Sequence, residues 1–165
     1  MPDIQMFRGD QVMEDTGRIS QKDNALFFTC ALIDYIARKT KNTRADVVNR
    51  LGKEQISKIF ELADIYHCDN PERVSDDFIV SAHIETGTFD NISDCGYAVP
   101  SCWDIGKVYK RLIKMVAEDK KKDVIDALIE VYNSFISPAI DDYNSSFYYE
   151  NPLFIFECYK AKTML

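Results

Sequence analysis

The residues best suited to chemistry stand in one run near the C-terminal end, Ile140-Asp141-Asp142-Tyr143-Asn144-Ser145-Ser146-Phe147-Tyr148-Tyr149-Glu150-Asn151-Pro152. The run combines carboxylates with aromatic rings, and their spacing follows no helical period. Acidic and aromatic side chains on a loop are typical of a recognition surface. We therefore predict a segment that binds a protein partner, with these contact residues: Asp141, Asp142, Tyr143, Tyr148, Tyr149 and Glu150.

The same run also has a purely structural interpretation. Its aromatic rings could pack the loop onto the rest of the chain and direct the tyrosine hydroxyl groups outward. In that case the acids and the outward tyrosines would remain for binding. Because the segment and the whole chain are acidic, a basic partner is the favoured one.

Catalytic patterns are weaker. Cys68 follows His67 directly, and Cys102 could meet His83 only if the connection between them folds back. Paired carboxylates recur along the chain, but acid–base catalysis needs two carboxyl groups in different environments that face one cleft. A small enzyme with a carboxylate or Cys/His site between two halves of the chain is thus an alternative function, and no particular catalytic residue is predicted.

The sequence predicts no metal or cofactor site either. Structural zinc sites usually show closely spaced cysteine pairs, whereas Cys95 and Cys102 stand further apart and both histidines stand alone. No glycine-rich phosphate loop or dinucleotide motif is present.

A basic stripe suggests a third function, nucleic-acid binding. The stripe lies at helical spacing and has several carboxylates beside it, so a solvated helix face with internal ion pairs is the competing interpretation. Its members are Lys107, Lys110, Arg111, Lys114 and Lys120 to Lys122.

Composition places limits on these alternatives. The 165 residues suit one domain, and the 46% of hydrophobic residues suffice for a core. A net charge of -7 disfavours nucleic acid and anionic membranes as partners. The N-terminus lacks the pattern of a signal peptide, and the apolar stretch 25–37 is too short to cross a membrane. We therefore expect a cytoplasmic protein whose five cysteines are reduced.

The elements that must position these residues are helical. Apolar residues recur at three-and-four spacing, which predicts an all-α fold, a compact bundle of six or seven helices with its central helix near 24–39. Residues 1–19 are expected to form a flexible arm, and 20–165 a single domain with possible sub-halves 20–90 and 100–165. A helix that starts after Ser101 and a second one that ends at Pro138 predict a C-terminal antiparallel hairpin. Pro152 then starts the last helix.

Two stretches carry a resemblance to a known family. Phe60-Glu-Leu-Ala-Asp-Ile-Tyr-His-Cys68, followed by Ser75-Asp-Asp-Phe-Ile79, resembles a family of small helical Firmicute proteins of unknown function. The similar region covers about 24–92. Members of that family are often encoded beside proteins that look like ADP-ribosyltransferase-type toxins, so the resemblance implies an antitoxin-like or accessory role. It implies no catalytic residue.

Overall fold

The computed structural model describes the backbone of residues 10–165 and the side chains of residues 21–165. Within this part the chain is all-α and contains no strand, which confirms the predicted class. It has eight α-helices: α1 Asp10–Thr40, α2 Arg44–Glu61, α3 Ala63–His67, α4 Pro71–Ser81, α5 Cys102–Lys120, α6 Val124–Tyr132, α7 Ile136–Ile140 and α8 Pro152–Ala161. A 3-10 turn spans Phe147–Tyr149. The two single-turn helices, α3 and α7, raise the number above the predicted six or seven.

Helix starts follow the predicted capping residues closely. The Ser101 hydroxyl accepts a hydrogen bond from the Asp104 N–H, and the Asp104 carboxylate accepts one from the Ser101 N–H. This reciprocal pair is a capping box, and it sets the first residue of α5. Asn151 caps α8, and Pro152 occupies its first turn, where no backbone donor is needed.

Two predicted helix ends were wrong. The first helix begins at Asp10, not at Ser20, so part of the predicted flexible arm is helix, and residues 1–9 lie outside the described part. The second helix of the predicted hairpin ends at Tyr132. Pro138 lies instead in the first turn of α7, which begins at Ile136. Proline is tolerated there, so this residue lies inside a helix where the sequence suggested an end. The antiparallel detail of the hairpin stays a prediction.

The long helix α1 lies at the centre, as its nearly all-apolar stretch predicted. It packs against α2, α3, α4 and α5. One continuous apolar core joins residues from both ends of the chain, including Ile33, Val47, Ile113, Leu128 and Ile155. Among the described helices, none has the length and hydrophobicity that a membrane crossing requires.

Helices α1 and α5 approach closely at Gly106. A β-carbon at this position would lie 2.9 Å from the backbone nitrogen of Ala31 and 3.1 Å from its Cα. Backbone atoms cannot move aside as a side chain can, so a glycine at this crossing allows the two helices to touch.

Gly106→Ala should therefore destabilise the protein although alanine is the better helix former. We expect the free energy of unfolding, measured by urea denaturation, to fall by about 1–3 kcal/mol because of overpacking. Gly96→Ala is the matched control, since a β-carbon there meets only the Asn144 side chain at 3.6 Å. Equal effects of the two substitutions would contradict the close approach.

Candidate functional site

The predicted binding segment, residues 141–150, separates two cavities at the surface. Its first three predicted contact residues, Asp141, Asp142 and Tyr143, line a cavity of about 410 Å³. The other three, Tyr148, Tyr149 and Glu150, line a cavity of about 440 Å³. We call the first the Asp141 pocket and the second the Tyr149 groove. The segment thus supplies a wall to each of two separate concave surfaces.

Burial divides the six predicted contact residues into two sets. The side chains of Asp141, Tyr143 and Tyr148 are buried, with exposed fractions of 4%, 3% and 7%. These three belong to the interior that anchors the loop, and a contact with a partner stays a prediction for them. Asp142, Tyr149 and Glu150 are exposed, and Tyr149 has 76% of its surface free. A binding role for these three stays a prediction.

A buried ionic network holds the start of the loop. Arg44 donates from Nε to Asp34 Oδ1 at 2.7 Å, and both side chains are only 1% exposed. The Nε of Arg38 forms a second ion pair with Asp34 Oδ2 at 2.6 Å. The Tyr143 hydroxyl donates to Asp34 Oδ1 at 3.3 Å and accepts from Arg38 and Arg44 at the same distance. Tyr143 therefore directs its hydroxyl inward, and not outward as the structural interpretation of the sequence supposed.

The network sets the protonation of its members. Burial alone would lower the pKa of Arg44, but the neighbouring Asp34, Tyr143 and Asp141 raise it overall, so this residue is a permanent cation. Burial and the charge of Asp34 raise the pKa of Tyr143, which keeps its hydroxyl protonated. The loop is thus attached to α1 and α2 by charge-assisted hydrogen bonds, which are stronger than neutral ones.

Asn91 connects the same network to the irregular segment between α4 and α5. Its side-chain amide donates to the backbone carbonyl of Asp141 at 2.8 Å, and its oxygen accepts from Arg44 at 3.3 Å. Sequence reasoning missed Asp34, Arg44 and Asn91. One signal was available for Asp34: a carboxylate inside a helix that is apolar nearly all round needs a buried partner.

Asp141 is the buried carboxyl group of the Asp141 pocket. Its carboxylate accepts hydrogen bonds from Tyr109 at 2.8 Å and from Ser137 at 3.4 Å. Burial raises the pKa of Asp141 to about 7, with Asp34 adding to the rise and Arg44 opposing it. A carboxyl group with a pKa near neutrality can exchange a proton with a molecule in an adjoining cavity.

The Tyr149 groove lies between α5, the 3-10 turn and the start of α8. Lys107 and Arg111 line it from α5, one helical turn apart, and both are exposed. Neither forms an ion pair with another residue of the described part of the chain. Asp104 also lines the groove, but its carboxylate already caps α5. The groove therefore has two available cations beside an exposed tyrosine.

The predicted cysteine and histidine sites do not gain support from the geometry. Burial and the nearby Asp34 raise the pKa of Cys102 to about 12, which is the opposite of what activates a nucleophilic thiol. His67 contacts the rings of Phe28 and Trp103. Over the described residues, no three His, Cys, Asp or Glu side chains are grouped as a metal ion would require.

The basic stripe is partly neutralised. Lys114 pairs with Asp23 at 2.9 Å, and Lys120 and Lys122 pair with Glu130 at 2.6 and 2.5 Å. These ion pairs match the competing interpretation of a solvated face, and they reduce the charge available to a phosphate backbone. Nucleic-acid binding through the stripe stays a prediction that rests on the remaining cations.

Comparison with known proteins adds no assignment: no protein-family model, no curated protein and no solved structure matches the chain.

Proposed function

We propose that this protein is a non-enzymatic interaction module that binds a segment of a partner protein in the Tyr149 groove. The observation that carries the proposal is the exposed ring of Tyr149 beside two cations, Lys107 and Arg111. Neither cation forms an ion pair with a residue that the structure describes. Tyrosine and arginine are the side chains that most often dominate the binding energy of protein interfaces.

The position of Tyr149 suits a binding residue because its support is rigid. Its ring lies 4.4 Å from the ring of the buried Tyr148, and both belong to the 3-10 turn. The turn is itself anchored through Phe147, which is buried. A side chain held in this way loses little conformational freedom when a partner arrives, so less of the contact energy is offset by entropy.

Two of the groove's charged side chains, Lys107 and Arg111, favour a partner segment that contains a carboxylate, while Asp104 and Glu150 in the same lining offset part of their charge. Lys107 and Arg111 can form ion pairs with such a segment while Tyr149 and Pro152 contact its apolar side chains. This differs from the basic partner that the sequence favoured, because Asp141 is buried and only Asp142 and Glu150 remain as acids at the surface. The resemblance to proteins encoded beside toxins makes a toxin-type protein the first partner to examine. All five cysteines are free thiols, in keeping with a cytoplasmic setting.

Quantitative affinity purification from the native host tests the proposal. The bait would be the whole chain as wild type, as Tyr149→Ser and as the double variant Lys107→Glu/Arg111→Glu. Tyr97→Ser is the control, because Tyr97 is 73% exposed and does not line the groove. We expect a protein that is depleted about tenfold or more by both groove variants and retained by the control, which corresponds to a loss of at least 1.4 kcal/mol.

A partner found in this way should then bind the purified chain, and a Glu or Asp to Lys change in the partner segment should restore binding to the charge-reversed variant. If both groove variants recover the same proteins as wild type while their circular dichroism spectra are unchanged, the groove is not the interface and the proposal is wrong.

A further inference from the structure

Four rings from three helices form an aromatic box at a different place in the bundle. Phe27 of α1 lies 5.2 Å from Trp103 of α5, measured between ring centroids, and the planes meet at 68°. Trp103 lies 6.1 Å from His67 of α3, and His67 lies 5.9 Å from Phe28 of α1, with interplanar angles of 87° and 88°. Each ring thus stands almost perpendicular to the next. We call this set, Phe27, Phe28, His67 and Trp103, the aromatic box.

The box borders a cavity of about 480 Å³ that opens to solvent. All four rings line the cavity together with Asn24 and Asp64, and Trp103 is 45% exposed. Asp64 is exposed and forms no ion pair with any residue that the structure describes. Among the described side chains, no lysine or arginine lines the cavity. The described lining therefore joins aromatic rings to one carboxylate.

Aromatic rings beside a carboxylate form the kind of site that binds quaternary ammonium compounds. A quaternary ammonium group carries a positive charge but no N–H, so hydrogen-bond acceptors bind it weakly and the negative faces of aromatic rings bind it well. A carboxylate at the edge adds attraction without a need for contact. From this geometry we infer that the aromatic box is a binding site for a small quaternary ammonium compound.

The size of the cavity favours a small molecule. Cavities of a few hundred Å³ hold whole small ligands, and this one is larger than a trimethylammonium group alone. The volume beyond that of a trimethylammonium group leaves room for a short polar substituent. The site is separate from the Tyr149 groove, so the inference does not depend on the proposed function.

The chain offers its own reporter, because Trp103 is the single tryptophan among the 165 residues. Tryptophan emission would be followed while the whole protein is titrated with choline at constant ionic strength. The matched ligand is 3,3-dimethyl-1-butanol, which has the shape of choline but a carbon in place of the charged nitrogen. We expect a saturable change with choline, and binding of the neutral analogue weaker by about tenfold or more, since the cation–π attraction is lost.

Variants locate the site. Asp64→Asn should weaken choline binding several-fold, and Phe27→Leu should weaken it by about tenfold because it keeps an apolar wall but removes a ring face. The controls are Asp46→Asn, an exposed acid in the first turn of α2, and Phe89→Leu, a partly exposed ring elsewhere. Should Phe27→Leu fail to fold, His67→Leu replaces it, because His67 is exposed at the surface.

Three outcomes would overturn the inference. The first is the absence of saturable choline binding to wild type, by emission and by calorimetry. The second is equal affinity for choline and its neutral analogue. The third is tighter binding of a peptide that carries trimethyllysine than of choline, which would assign the box to a modified protein and not to a small molecule.

Discussion

Replacing Arg44 by methionine should lower the free energy of unfolding by about 3–5 kcal/mol at neutral pH. The guanidinium is 1% exposed and pairs with the equally buried carboxylate of Asp34 at 2.7 Å. Methionine fills similar volume but leaves Asp34 with Arg38 as its remaining cation, and Arg38 is partly exposed. The cost arises because the buried carboxylate of Asp34 loses the more deeply buried of its two cationic partners, and not because an attractive contact disappears.

Lys53→Met is the matched control for this prediction. Lys53 lies 2.8 Å from Asp126, almost the same separation as in the buried pair, but both side chains of this second pair are exposed. Water and salt screen such a pair, so we expect little change in stability. Urea denaturation followed by circular dichroism would compare the two variants. Similar losses would show that burial does not govern the strength of these pairs.

A double variant separates the two possible causes of the loss. Asp34→Leu with Arg44→Met removes both charges of the fully buried pair. Arg38 loses its carboxylate in this variant, but it is partly exposed and keeps its hydrogen bond to the Pro100 carbonyl at 2.7 Å. Replacing a buried ion pair by apolar side chains is often neutral or stabilising, so the double variant should recover part of the stability lost in Arg44→Met. If the double variant is less stable than the single one, the ion pair itself contributes the stability, and the argument from desolvation fails.

Local features of this fold could be predicted from sequence because their causes are local. The capping box of Ser101 and Asp104 needs residues three positions apart, and Asn151 with Pro152 needs neighbours only. The stretch 25–37, apolar nearly all round, likewise identified α1 as the central helix, and three-and-four apolar spacing predicted α5. Helix ends without such a local signal were harder to place. Proline is compatible with the end of one helix or with the first turn of the next, and Pro138 lies in the first turn of α7.

The candidate site was harder to predict because its partners are distant in sequence. Tyr143 bonds to Asp34, 109 positions away, and to Arg44, 99 positions away. No spacing within 140–152 distinguishes the inward Tyr143 from the outward Tyr149. A buried carboxylate such as Asp34 must be paired with cations or hydrogen-bond donors. Which residues pair with it depends on how α1, α2 and the loop pack together, and the sequence does not show that packing.

Asp141 gives the second prediction, a stability that falls as the pH rises. Its folded-state pKa is about 7 and exceeds the ordinary value of 3.8, so the folded protein holds a proton that the unfolded chain has released. Stability from this group is fully present below 3.8 and is lost as the pH rises through 7. Between pH 5 and pH 8 we expect the free energy of unfolding to fall by about 2–3 kcal/mol through Asp141.

Asp141→Asn should remove this dependence. Asparagine has the same shape, stays neutral, and can exchange hydrogen bonds with Tyr109 and Ser137. The advantage of the variant over wild type should grow by about 2–3 kcal/mol between pH 5 and pH 8, where wild type must bury a charge. Urea denaturation of both proteins at several pH values in this window is the measurement.

The test rests on the difference in the free energy of unfolding between wild type and Asp141→Asn at each pH. The contributions of the other ionisable groups are common to both proteins and cancel in the difference. Hydrogen bonds from Lys120, Lys122 and Tyr159 lower the pKa of Glu130 to about 2. Glu130 therefore changes the free energy of unfolding only at lower pH, and with the opposite sign. Parallel pH profiles would therefore mean that Asp141 does not titrate near neutrality, and the Asp141 pocket would lose its proton-exchanging group. Profiles whose separation grows from pH 5 to pH 8 would leave that pocket with a carboxyl group whose protonated and ionised forms are both populated near pH 7.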